Sequence, residues 1–174
     1  MSSKVINQEL KEAIQRKEMT QVTLSRGTFR AKTTINGYFR GDPAPVEAIQ
    51  DIANFMDDSM FSQSMSFEVF NMIPPMRSLT FRDCPIALDI IQKLETEERK
   101  ALKQRAMFAL TKNKQVLNEQ DREDILNYAL NFLDEVFIET RVIISILDKL
   151  DLSLMAAVQS RVPHWKARNY LEGE

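Results

Sequence analysis

Residues that break helices are scarce in this chain. Four glycines and six prolines are spread over 174 residues, and the stretches between them are long. A many-stranded sheet needs a turn signal every 8–12 residues or so, whereas helices run on without one. The scarcity therefore predicts an all-α chain.

The apolar spacing places the helices. Leu10 and Ile14, with Ala13 beside them, put one apolar face on a first helix from Asn7 to Met19. Thr20 is a natural N-cap for a short second helix, Gln21 to Arg26, and Gly27 then interrupts. A third helix from Ala31 to Phe39 carries Ile35 with Tyr38 or Phe39 on its inner side, and Gly41, Asp42 and Pro43 stop it. Pro45 stands where a fourth helix can begin. From Val46 to Asp57 that helix turns Ile49, Ile52, Ala53 and Met56 to one side. Phe61, Met65, Val69 and Ile73 repeat every four residues and predict a fifth, although the alternation around Phe67 to Asn71 also allows a short strand.

This head spans 1–73. Pro74-Pro75 closes it, and 74–84 forms a linker without a Gly/Ser-rich composition, expected to pack rather than swing. Residues 85–174 form the second domain. Pro85 to Thr111 and Asp121 to Leu147 make two long amphipathic helices joined by a polar loop, with Asn118 as a candidate cap, and a short helix from Leu152 to Ser160 follows. The expected architecture is a four- to five-helix bundle, then a helical hairpin plus one short helix.

Charge is uneven. The net charge is -2, yet Thr20 to Gly41 holds Arg26, Arg30, Lys32 and Arg40 and no acid. The same segment resembles the helix-turn-helix of Cro and phage repressors, the xenobiotic-response-element family. The matching features are Thr20-Gln21 opening the second helix, Leu24-Ser25, Ile35 in the third helix and Gly41 closing it. Leu10 upstream, and Ile49, Ile52 and Ala53 downstream, extend the match over Gln8 to Asp58. Two positions depart from the family pattern. Phe29 stands where the turn usually has glycine, with Gly27 two residues earlier, and Phe39 replaces a glutamate late in the third helix, hinting at an extra apolar contact.

The resemblance implies double-stranded DNA as the ligand. It places Lys32, Thr33 and Gly37 at base-facing positions, Asn36 at a flanking one, and Gln21 on a phosphate. Side-chain chemistry points the same way. A recognition helix needs small polar or cationic groups at its N-terminal end, which Lys32, Thr33 and Asn36 supply opposite Ile35. Gly37, one turn after Thr33, would let the backbone approach the groove; the plainer alternative is a tolerated glycine costing about 1 kcal/mol of helix propensity. Arg26, Arg30 and Arg40 would bind phosphates without regard to sequence.

The resemblance also implies a repressor that dimerises on a palindromic operator. The second domain would supply the dimer interface, with Phe132, Val136 and Ile143 the expected contacts. A Cro-like head with a helical tail is also similar to small prophage-encoded proteins whose tails bind other proteins. The alternative is thus an antitoxin or an inhibitor of a host defence complex, with a head that only regulates its own gene.

Enzyme chemistry is not expected. His164 and Cys84 stand alone and far apart, and no metal spacing, phosphate loop or dinucleotide glycine pattern occurs, so no catalytic residue, metal or cofactor is expected. Acidic pairs such as Glu97-Glu98 read as charged helix faces. The lone cysteine, the absence of a signal-peptide pattern and the lack of a long apolar window point to a cytoplasmic protein off the membrane.

Overall fold

The computed structural model describes residues 3–172. It is all-α apart from one two-stranded ribbon, and it divides into two compact units.

The first unit holds α1 (Asn7–Arg16), α2 (Gln21–Gly27), α3 (Lys32–Arg40), α4 (Val46–Met56) and α5 (Ser59–Phe70). Ahead of them β1 (Ser3–Lys4) pairs antiparallel with β2 (Ala44–Pro45). The ribbon is too short to leave an alternation in the sequence. It uses Pro45 as an extended residue and N-cap, so α4 starts at Val46. Leu10, Leu24, Ile35, Ile52 and Phe61 are fully buried and bring one side chain from each of the five helices into one core. Burying each contributes roughly 1.5–3 kcal/mol.

The alternation in Phe67 to Asn71 does not make a strand. α5 continues to Phe70 and ends on Asn71, whose left-handed backbone (φ 54°) closes it. Gly27 does not interrupt α2 either but is its last residue. A Cβ there would lie 1.9 Å from the Phe55 ring, so the glycine makes room for an aromatic side chain.

Asp58 fixes two of these helices. Its Oδ1 accepts the Phe61 N–H at 2.7 Å, capping α5. The same carboxylate receives Arg16 Nε at 3.0 Å and Nη2 at 2.7 Å, which ties on the end of α1. Asp58→Ala removes the cap and leaves Arg16 without its fork partner. It is expected to lower stability by about 2 kcal/mol in denaturant titration, and Asp58→Asn by less, because an amide oxygen still caps. Equal losses for the two variants would mean that charge, not capping, carries the effect.

The second unit, Met76–Asp151, is a hairpin of α6 (Pro85–Leu110) and α7 (Glu119–Leu147), joined through a turn of 3-10 helix at Lys114–Val116. Asn118 and Asp121 cap α7 reciprocally, each side chain accepting the other's backbone N–H. Lys112 Nζ donates to Asp121 at 2.6 Å across the loop. Arg141 Nε donates to Asp83 at 2.9 Å, which fastens the segment before α6 to α7.

The seam between α6 and α7 is unexpectedly polar. Leu88, Ala106 and Ala109 from α6 and Ile138 and Ile144 from α7 are buried, but so is Glu135. Its carboxylate accepts from the Thr96 hydroxyl and from Arg99 Nε. Gln92 Nε2 donates to Glu139 at 3.1 Å, and Arg99 Nη1 to the Tyr128 hydroxyl at 3.3 Å.

This seam sets a pH response. Arg99, then Thr96, hold the Glu135 carboxyl below the ordinary glutamate value, against the effect of burial. Lys112, helped by the Asn118 N–H, does the same for Asp121. A carboxylate with a depressed folded pKa stabilises the fold above its unfolded value, and that contribution disappears as pH falls through the folded value. Glu95 has the opposite sign: burial first, then Glu98 and Asp134, raise it, so its charged form costs stability at neutral pH. Thermal melts from pH 7 downward should show the hairpin weakening below about pH 4. Glu95→Gln should raise the midpoint at pH 7, the difference from wild type vanishing in acid. An unchanged midpoint down to pH 3 would contradict this assignment.

α8 (Leu154–Ala167) corrects the expected extent of the last helix and its grouping with the hairpin. It runs through Pro163 instead of stopping at Ser160, and residues Leu152 to Glu172 cluster with the first unit. The reason is local. The Ser59 hydroxyl accepts the Leu154 N–H at 2.8 Å, and Ser153 caps the helix by accepting the Ala156 N–H at 2.9 Å.

Candidate nucleic-acid interface

α2 and α3 form a helix, a tight turn and a second helix. Thr20 starts α2 by accepting the Thr23 N–H at 3.1 Å. Leu24 and Ile35, both fully buried, lock the two helices to the core. The turn over 28–31 is held at both ends. The Thr28 hydroxyl donates to the Leu24 carbonyl at 2.8 Å, and Ser25 Oγ donates to the Arg30 carbonyl at 2.6 Å. Between them Phe29 adopts a left-handed backbone, φ 53°, and its side chain is 96% exposed.

The start of α3 faces solvent. Lys32, Thr33 and Thr34 are all exposed, and Ala31 provides no side-chain cap. The first-turn N–H groups are thus left for water or an external acceptor. Lys32 and Thr33, which the resemblance marks as base-facing, are both accessible. Asn36 is half-buried, and its Oδ1 is enclosed without a hydrogen-bond partner.

Gly37 is not on the outward face as expected: it is buried. A Cβ there would meet Asp42 Oδ2 at 2.4 Å, and the Gly37 carbonyl accepts the N–H groups of Gly41 (3.1 Å) and Asp42 (3.0 Å). Its place is in the tight closure of α3, where Gly41 takes φ 110° and the Asp42 side chain folds back over the helix. Phe39, expected to reach for an extra apolar contact, lies in the head's own core at 8% exposure.

The four expected phosphate contacts differ in availability. Arg26 is exposed, and Arg40 is exposed with Asp42 4.0 Å away. Gln21 is half-buried at the first position of α2. Arg30 is engaged, with Nη2 2.5 Å from Asp51 Oδ2, so it would have to exchange a carboxylate for a phosphate.

No protein-family model, curated protein or solved structure matches this chain.

In the hairpin, Phe132 is half-exposed, with the Arg99 guanidinium 4.2 Å from its ring centroid and Tyr128 edge-on at 5.7 Å. Val136 is half-buried and Ile143 exposed. On α6, Ile86, Ile90 and Leu94 are all exposed and follow one another at helical spacing, although the apolar periodicity reads Leu94 as an inward position. Cys84 stands half-buried just before α6 and His164 is exposed on α8. Among the described residues no group of three or more His, Cys, Asp or Glu is placed to hold a metal ion, and no helix is long and apolar enough to cross a membrane.

Sequence reasoning also missed Thr34 as an exposed neighbour of Thr33, and the exposure of Phe29. The signal for the second was present: an aromatic residue stands where the turn usually requires glycine.

Proposed function

We propose that this chain is a sequence-specific DNA-binding transcriptional regulator of the phage-repressor type, acting in the cytoplasm as a dimer on a palindromic operator. The observation that carries this reading is the solvent-facing start of α3. Lys32 and Thr33 project from a helix anchored by Ile35, and Arg26 and Arg40 stand exposed in the same acid-free stretch. Lysine reads guanine acceptors and a threonine methyl packs on thymine, while the flanking arginines supply salt-sensitive phosphate contacts. Asn36 would contribute at the edge of the site.

The test is selection of random duplexes by the purified protein. The expected result is an enriched palindrome with half-site centres about 10 base pairs apart, one helical turn. No enrichment over the starting pool would end this reading.

A second reading is favoured by one observation. Ile86, Ile90 and Leu94 are 78%, 57% and 60% exposed on one stripe of α6, an apolar surface that asks for a partner. A second copy fits the two-half-site requirement. If sedimentation finds a monomer both free and on DNA, a different protein is the better occupant, and regulation through that protein becomes the main activity.

A further inference from the structure

Phe29 combines two features that are unfavourable for its side chain: it closes α2 in a left-handed position, spanned by the Arg30 N–H on the Ser25 carbonyl at 3.1 Å, where glycine is preferred, and its ring packs on nothing. Its backbone lies in the left-handed region at φ 53°, where a Cβ crowds the following carbonyl and a bulky residue is an outlier. Its ring is 96% exposed, so it makes no packing contribution to the fold. Glycine would relieve the strain, and asparagine would tolerate it while keeping a side chain. The turn itself does not need the ring: it is held by Thr28 on Leu24 and by Ser25 on Arg30.

The surroundings indicate what the ring meets. Phe29 lies between exposed Arg26 and exposed Lys32, just ahead of the uncapped start of α3. An exposed aromatic ring flanked in sequence by exposed cations suits a polyanion that also presents apolar surface. A DNA duplex does so through deoxyribose edges and the 5-methyl groups of thymine, which phenylalanine is suited to contact. A protein partner would be expected to meet an apolar patch, whereas the residues flanking this ring in sequence include the cations Arg26, Arg30 and Lys32 and no exposed large apolar side chain between positions 23 and 40 other than Phe29 itself.

We infer that Phe29 is a DNA-contacting residue, its ring packing on apolar duplex surface at the edge of the site read by Lys32 and Thr33. This rests on the DNA-binding reading above.

The experiment compares wild type, Phe29→Gly and Phe29→Asn on the selected duplex and on copies in which each thymine in turn is deoxyuridine. Both variants should fold. Phe29→Gly should melt about 3–6 °C higher than wild type, since strain is removed from a small unit. It should bind the selected duplex about tenfold more weakly, the scale of one lost base-pair contact. If the ring touches a methyl group, wild type loses affinity at one thymine per half-site and the variants are indifferent there. If it touches sugar, the variants lose affinity while deoxyuridine has no effect at any position. Either pattern supports the inference.

Unchanged affinity and thymine response in Phe29→Gly would overturn it, and point to a protein contact. If Lys32→Ala/Thr33→Ala still loses specificity in that case, the DNA-binding reading survives without Phe29. If selection enriches nothing, both readings fall together.

Discussion

Replacing Lys32 and Thr33 together by alanine is expected to lower affinity for the selected operator by about 100-fold while leaving a salt-sensitive residual binding. Each good base contact is worth roughly 1–3 kcal/mol of discrimination, so two lost contacts remove most of the preference for the operator over random duplex. The fold should not suffer. Both side chains are exposed, and such positions usually change stability by less than about 0.5 kcal/mol. Arg26→Ala and Arg40→Ala should behave differently, weakening binding to all duplexes alike and each reducing the salt slope by about 1. Arg30→Ala is a mixed case, because its guanidinium is already held by Asp51 and the loss would also touch the head's own packing. Titrations across a salt series read both kinds of effect. A double variant that binds operator and random duplex like wild type would mean that the start of α3 reads nothing.

How much of this was legible beforehand depends on the range of the interactions involved. Helices defined by i, i+3 and i+4 spacing could be read directly: Leu10, Ile35, Ile49 and Ile52 are buried where their periodicity places them. Caps could be read too, since Thr20 and Asn118 act on residues next to them in sequence. What escaped depends on distant partners. Gly37 reads as outward from helical angle alone; only the return of Asp42 over the helix buries it. Gly27 reads as a break, and only Phe55, from α4, explains it as a packing site. Arg30 reads as a free cation until Asp51 is brought beside it. α8 reads as part of the second domain because neighbours in sequence usually pack together, whereas its first turn is satisfied by Ser59 in the head. At the candidate site the residue types were legible and their availability was not.

The hairpin seam gives the largest stability effect. Glu135→Ala should destabilise the second unit by about 3 kcal/mol, because the Arg99 side chain, only 15% exposed, would be left charged without its carboxylate. The Thr96 hydroxyl and Gln92 amide would lose an acceptor as well. The sign reverses when both charges go. Arg99→Met with Glu135→Leu removes the cost of desolvating two ions and sets a flexible apolar chain against the Phe132 ring, where the guanidinium now lies. The double variant should recover at least the loss caused by Glu135→Ala and lose the acid-side weakening that Glu135 causes. Denaturant titration of wild type, Arg99→Met alone, Glu135→Leu alone and the double variant measures the coupling. Additive losses would show that the pair is not energetically linked and that the seam is held by Leu88, Ala106 and Ala109 instead. A strong coupling, with a double variant as stable as wild type, would give the polar seam a different role: it fixes which faces of α6 and α7 meet. A seam of leucines could slide by a turn, whereas Glu135 finds Thr96 and Arg99 together in only one register. That register also sets where Ile86, Ile90 and Leu94 are presented, so the partner surface proposed for α6 depends on it.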